Sequence, residues 1–542
     1  MRWWGWGDPA HRPALPAHAL GFLEEIVGVT APRPPVALQS VRLVPSRLGE
    51  RTLGELREIV GAGAVRSGHT ERVLHAAGKG YSDLVRLRAG APDGAPDAVV
   101  LPGDHGQVRA VLKVCARASI AVVPFGGGTS VVGGVAPLRG EHAGVLSLDM
   151  RRMGAVLELD QDSLTVTVQA GARAPALERY LSARGLTLGH FPQSFEYVSL
   201  GGCAATRSAG QASSGYGAID RMIIGLRLAA PAGDIELPAL PASAAGPGMR
   251  QLLVGSEGTL GVISELALRV RPAPRERVYE GVFFEDFAAG VEALRALAQE
   301  HALPEVARLS DEQETRMSLA LAGSGGVKGR LGRLYLGARG YRESGCLAIL
   351  GFEGAGRELA GRRERARELV RAKGGLAVGR SPGEAWRKAR FSAPYLRDDL
   401  LSQGVMVETL ETATQWSKLS ALHDGVAGAI ADALNRCGTP GLVMCHVSHL
   451  YETGASLYFT FIAAQQAADE LGQWRAVKEA ASAAISTGGG TITHHHGIGQ
   501  DHVPWIAREI SDTGVAALRA VKAELDPAGI MNPGKLLPAP HF

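Results

Sequence analysis

Three consecutive histidines, His494, His495 and His496, run straight into Gly497-Ile498-Gly499 inside the chain. Imidazole titrates near neutral pH, so a cluster of this kind suits acid–base chemistry, and metal binding is its other use. A purification tag is a third source of such runs, but tags stand at termini and not beside Gly-Ile-Gly. Upstream, Cys445-His446-Val447-Ser448-His449 leads into a strand-like run, Ser456 to Phe461, with Tyr458 on one face. Taken alone, Tyr458 would ordinarily be a core tyrosine with a satisfied hydroxyl. His446 and His449 are metal-ligand types, but no acidic or histidine partner stands at a telling spacing from them, and no metal is expected. Arg397, in Pro394-Tyr395-Leu396-Arg397-Asp398-Asp399, would ordinarily be a surface residue.

A second kind of chemistry is written in glycine. Pro124-Phe125-Gly126-Gly127-Gly128-Thr129-Ser130 follows the apolar run Ile120 to Val123, so a buried strand should deliver this loop to an interior site. Glycines let the backbone reach φ > 0 and bring N–H groups close to a ligand, and Thr129 and Ser130 add hydroxyl donors. Amides and hydroxyls together make a cradle for phosphate or pyrophosphate. The loop lacks the lysine of a nucleotide-triphosphate loop, and Val131 stands where a dinucleotide fingerprint has its third glycine. A plain flexible turn is the competing reading. Two further stretches share the composition, Ser199 to Gly217 and Val254 to Val262, and three such clusters together are hard to explain as turns alone.

The elements that must carry these residues are partly legible. Asp104 with Gln107 caps a helix whose apolar stripe is Val108, Val111, Leu112 and Cys115. Val145 to Leu148, the alternating Leu164, Val166 and Val168, Met222 to Leu228 and Leu266 to Val270 read as strands. Leu177, Tyr180 and Leu181 mark a helix closed by Gly185. His18 to Val27, Leu53 to Ile59, Phe284 to Ala298 and Arg357 to Lys373 read as helices, and Ala322 to Leu331 as a mobile loop. Trp3, Trp4 and Trp6 must be buried, and packing against a neighbouring domain is the expected use. The result is an α+β chain in four parts: a helical extension (1–90), a ligand-binding domain (91–274), a covering domain (275–500) and a C-terminal return (501–542).

Length and composition narrow the class. At 542 residues the chain needs more than one core. Hydrophobic residues make up 46% and charged residues 20%, as in globular proteins, and a formal net charge of +3 gives no case for nucleic acid. The five cysteines form no C-x-x-C pair, which argues against a zinc site or disulfide framework and fits a reducing, cytoplasmic setting. No run of about 18 apolar residues spans a membrane, and no signal peptide or peroxisomal address is expected.

In this order the motifs resemble those of the vanillyl-alcohol oxidase/p-cresol methylhydroxylase flavoproteins: the Gly126–Ser130 loop, Gly201-Gly202, Glu257-Gly258-Thr259-Leu260-Gly261 and Asn532-Pro533-Gly534-Lys535. Trp3 to Gly7, Gly189-His190, Thr206 to Gly210, Tyr395 to Arg397, Tyr451 to Ala455 with Tyr458, and the triple histidine resemble the alkyldihydroxyacetonephosphate synthase family within it. The resemblance implies a two-subdomain FAD-binding domain of the vanillyl-alcohol oxidase type and an α+β cap. It implies FAD held without a covalent bond by Pro124, Phe125, Gly126, Gly127, Gly128, Thr129 and Ser130; by Gln193, Ser194, Phe195, Glu196, Tyr197, Val198 and Ser199; by Thr206, Arg207, Ser208 and Ala209; and by Glu257, Gly258, Thr259, Leu260, Gly261, Val262 and Ile263. Arg397 would bind a substrate phosphate, Tyr458 would shuttle a proton, and His494, His495 and His496, centred on His495, would receive it. The activity implied is exchange of the acyl group of acyl-dihydroxyacetone phosphate for a fatty alcohol through a flavin N5 adduct, in a homodimer touching membranes peripherally. An FAD-linked 2-hydroxy-acid dehydrogenase of the D-lactate or D-2-hydroxyglutarate type is the alternative. Two positions depart from the synthase pattern: Ala242 stands where that family has an arginine, and the Asn-Pro-Gly-Lys ending is closer to the dehydrogenases.

Overall fold

The computed structural model describes residues 1–8, 10, 17–28, 30–321 and 345–538; the loop expected at Ala322 to Leu331 lies outside them. Three sheets of four or more strands organise the described residues. The first orders Val65–Arg66, Ala98–Val100, Gly144–Asp149 and Ile120–Phe125, and its last three strands are parallel. Parallel strands are covered on both faces, which is why Ile120 to Val123 is continuously apolar and buried. The helix His105–Ala118 lies on this sheet with its expected stripe inward, and the Asp104 carboxylate accepts the Gln107 N–H at 2.8 Å. The second sheet is antiparallel: Val156–Asp160, Thr165–Gln169, Val262–Arg269, Ile223–Ala230, Gly233–Leu237.

The third sheet has seven antiparallel strands in the order Leu376–Gly379, Glu276–Phe284, Cys346–Gly354, Val306–Ser310, Gly441–Tyr451, Gly454–Ala464, Val405–Gln415. The helices Phe287–Gln299, Gly356–Ala372, Leu419–Arg436 and Glu470–Thr487 share its core. The sequence pattern identified only one of these strands. It also started a helix at Phe284, but Phe284 pairs with Cys346 at the end of a strand. The helix begins at Phe287, where Asp286 caps it by accepting the Ala289 N–H. Within Ser199 to Gly217, Leu200–Thr206 is a helix whose cap is Ser199.

Both ends of the chain return to the ligand-facing side. Beyond the helix Ile506–Leu525, Met531 bridges to Val122 on the strand that feeds the glycine loop. The Asn532 amide donates to the carbonyls of Gly134 and Glu257, and Lys535 donates to that of Ala136. At the other end Trp6 is buried, its ring edge-on to Tyr197 and its backbone N–H donating to the Asp398 carboxylate. The expected use of the tryptophans as packing surface therefore applies to Trp6.

Candidate functional site

Where the three sheets meet, one cavity of about 460 Å³ takes residues from each of them. Gly126 to Ser130 form one wall. Their tight fit depends on the absence of side chains: a Cβ on Gly127 would stand 2.4 Å from the Tyr197 carbonyl, and one on Gly126 2.1 Å from Ser199 Oγ. Gly128 has φ +66°, which favours glycine. Among the described residues the N–H groups of Gly127, Gly128 and Thr129 donate to no atom of the chain. Buried amides without partners are costly, so a row of them facing a cavity suits an anionic ligand such as a pyrophosphate. The wall continues through Gln193, Ser194, Val198, Ser199, Thr206, Ser208, Ala209, Glu257, Gly258, Gly261, Val262 and Ile263, all named from sequence. The residues present fit FAD.

Several residues expected to hold the cofactor stand behind that wall instead. Phe195 stacks on Phe391, and Glu196 accepts the Tyr395 hydroxyl. Tyr197 supports Trp6, and Thr259 turns to the Ser256 carbonyl. Leu260 is core. The Arg207 guanidinium clamps the carbonyls of Val254 and Gln251, lying over Gly255 and away from the cavity. Ala242 is exposed, in a segment that does not reach the cavity.

The second half of the cavity belongs to the seven-stranded sheet. Tyr458 sits on the central of three adjacent strands, opposite His446 on one side and Glu411 on the other. The His446 ring stacks on it at 4.8 Å between centroids, and the His495 and His496 rings stand 6.1 and 5.7 Å away. Burial pushes the Tyr458 hydroxyl up to about 12. Burial also draws His494, His495 and His496 down to about 4, so all three are neutral at pH 7 with lone pairs to offer. His495 and His496 line the cavity, whereas His494 stands one layer back, bonded to the Tyr451 hydroxyl at 2.6 Å.

What fixes the histidine loop is Glu411, a residue the sequence reading passed over. Its buried carboxylate accepts the N–H groups of His494, His495 and His496 and the Thr493 hydroxyl. It also lies 3.6 Å from Nδ1 of both His495 and His496. Burial alone would raise it, but the neighbouring histidines and these donors hold it well below the usual carboxylate range. Local sequence offered little signal for it: Glu411 is one of two glutamates among threonines and apolar residues on the strand Val405–Gln415.

Arg397 is placed by the helix Ala393–Ser402 and lines the cavity, not the outer surface. It donates to the Lys79 carbonyl at 2.7 Å, and its buried Nε has no partner among the described residues. Asp398 lies next to it, but takes the Trp6 N–H and an ion pair with Arg2. Lys79 is buried nearby, its ammonium drawn down to about 8 by loss of solvent. Arg308 also lines the cavity, but Glu314 neutralises it at 2.6 Å. The Glu314 carboxyl overcomes its burial through Arg308 and His446 and falls to about 2. Of the two arginines among the described residues that line the cavity, Arg397 is the one not bonded to a carboxylate there. Beyond it the wall becomes apolar: Leu23, Met317, Leu400, Val407, Met444 and Ile462.

Residues 96–237 match an FAD binding domain, and residues 273–536 match the C-terminal domain of FAD linked oxidases. The chain is 33% identical to an alkyldihydroxyacetonephosphate synthase of Trypanosoma brucei brucei, over 100% of this chain and 93% of that one. A solved alkyldihydroxyacetonephosphate synthase superposes with a TM-score of 0.86 at 29% identity, covering 99% of both chains. The fold alone is shared with p-cresol methylhydroxylase, at a TM-score of 0.68 and 15% identity, over 91% of this chain and 98% of that one.

Proposed function

The chain belongs to the alkyldihydroxyacetonephosphate synthase family, and from this premise we propose that it replaces the acyl group of an acyl-dihydroxyacetone phosphate by a fatty alcohol, forming an ether lipid. It is an FAD-dependent enzyme acting on a lipid-like small molecule. One observation carries the reading: a single cavity runs from the amide-lined glycine loop, past Arg397, Tyr458 and His495, to an apolar end.

When bound, FAD supplies an electron pair to the substrate carbon without net oxidation. The free amides of Gly127 to Thr129 hold its pyrophosphate, with no covalent link to the chain. Arg397, whose guanidinium is always charged, takes the substrate phosphate. Tyr458 keeps its proton at neutral pH and His495 is neutral, so tyrosine alone is a poor base. The arrangement favours a relay in which Tyr458 accepts a proton from C1 as its own passes to His495. Glu411, ionised 3.6 Å from His495 Nδ1, stabilises the imidazolium that results. The apolar end takes the acyl or alkyl chain. A homodimer in the cytoplasm, drawing its alcohol from a membrane surface, completes the proposal; gel filtration and liposome flotation test that part.

The test is incorporation of labelled hexadecanol into acyl-dihydroxyacetone phosphate, lost in Tyr458→Phe. Anaerobic bleaching of the flavin by D-lactate or D-2-hydroxyglutarate, without alcohol exchange, would instead establish the dehydrogenase.

A further inference from the structure

His449, His494 and His495 form a cluster that the proposed chemistry does not fully use. One nitrogen from each lies within 4.8 Å of those of the others. Their ring centroids are 4.8, 5.1 and 5.2 Å apart. Three imidazoles on one tetrahedral ion, with metal–nitrogen bonds of about 2.0 Å, place their centroids about 5 Å apart. The rings already have the spacing of a three-histidine site.

Two of the three rings are also held from behind, as metal-ligating histidines are. His449 Nδ1 meets Ser213 Oγ at 2.6 Å, leaving Nε2 free. His494 Nε2 meets the Tyr451 hydroxyl, leaving Nδ1 directed at His495 Nδ1, 2.9 Å away. Two facing Nδ1 atoms share one proton. If His494 carries its proton on Nε2, where the Tyr451 oxygen accepts it, both Nδ1 lone pairs become free with no net proton release. The Glu411 carboxylate, 3.6 Å from His495 Nδ1, offsets positive charge there.

We infer that His449, His494 and His495 form a binding site for a divalent transition-metal ion of the zinc type, with its fourth position open to the cavity, and that the occupied site is inhibited. Metal on His495 puts positive charge on the ring that would take the proton, and so opposes the transfer. His449 and His495 both line the cavity, so the ion is reached through it. The inhibition, unlike the binding, rests on the function proposed above.

Chelator-stripped holoenzyme, dialysed against buffered zinc and analysed by mass spectrometry, should hold one ion per chain. His449→Ala should lose it while keeping its flavin absorbance and melting temperature. Ser213→Ala and Tyr451→Phe, which spare the ligands, should weaken binding about 10- to 100-fold, and they decide the matter if His449→Ala does not fold. Zinc should inhibit alcohol exchange reversibly in the wild type and not in His449→Ala. Absence of stoichiometric zinc, or zinc retained undiminished by all three variants, overturns the site. Zinc bound as expected in a protein without exchange activity overturns the proposed function and leaves the site standing.

Discussion

Replacing Glu411 by glutamine isolates what the buried carboxylate does. The two side chains are close in shape, so the strand pairing of Glu411 with Tyr458 survives. Two things change. An amide keeps one acceptor oxygen, so one N–H of the histidine loop faces an NH₂ group instead of a carboxylate, at a cost of about 1–3 kcal/mol in stability. The charge 3.6 Å from His495 Nδ1 also disappears. At an effective dielectric of about 20, a unit pair at that distance is worth 332/(20 × 3.6), roughly 4.6 kcal/mol, as an upper bound. Relaxation and water entry leave about 2 kcal/mol of that for the imidazolium in the transition state, or about thirtyfold in kcat. The KM for the acyl substrate should stay within about threefold, because Arg397 and the apolar wall are untouched. Steady-state alcohol exchange, with flavin content and melting temperature measured in parallel, reads all three quantities. A Glu411→Gln enzyme with full flavin content and wild-type kcat would show that no imidazolium forms at His495.

Arg397→Ala should lower kcat/KM about 10- to 100-fold by removing a charged contact worth about 1.5–3 kcal/mol, with dihydroxyacetone phosphate losing its ability to compete. Gly127→Ala should yield a colourless protein, since its Cβ would stand 2.4 Å from the Tyr197 carbonyl and displace the loop; absorbance near the flavin band checks it. Glu314 titrates at about 2 in the folded protein and at about 4.5 unfolded, so it stabilises above the unfolded value, and that contribution is lost as pH falls toward 2. It amounts to at most about 3 kcal/mol, and Glu314→Gln should flatten the acid limb of the urea-denaturation profile between about pH 4.5 and 2.

By itself the sequence determined what depends on neighbours along the chain. A continuous apolar run into three glycines means a buried strand ending in an amide cradle, and Ile120 to Ser130 forms one. A capping aspartate with an apolar stripe means a helix, and His105–Ala118 is one. Residue type marked the three histidines, and only the resemblance to a known family added Arg397 and Tyr458 to the chemistry-bearing set. Tertiary structure decided everything that needs contact at long range. Trp6 meets Asp398 across 392 residues, and Glu411 meets the His495 N–H across 84. Nothing local marks either pairing. Six of the seven strands of the large sheet went unread because burial between helices and neighbouring strands blurs the alternation that reveals a half-exposed strand. The role of His449 was hidden for a related reason. Its partners are fixed by strand register and by a loop tied down on Glu411, and spacing in sequence carries no information about either. Residue type tells which reaction a side chain can support, but only the folded backbone determines which other side chains stand near enough to share it.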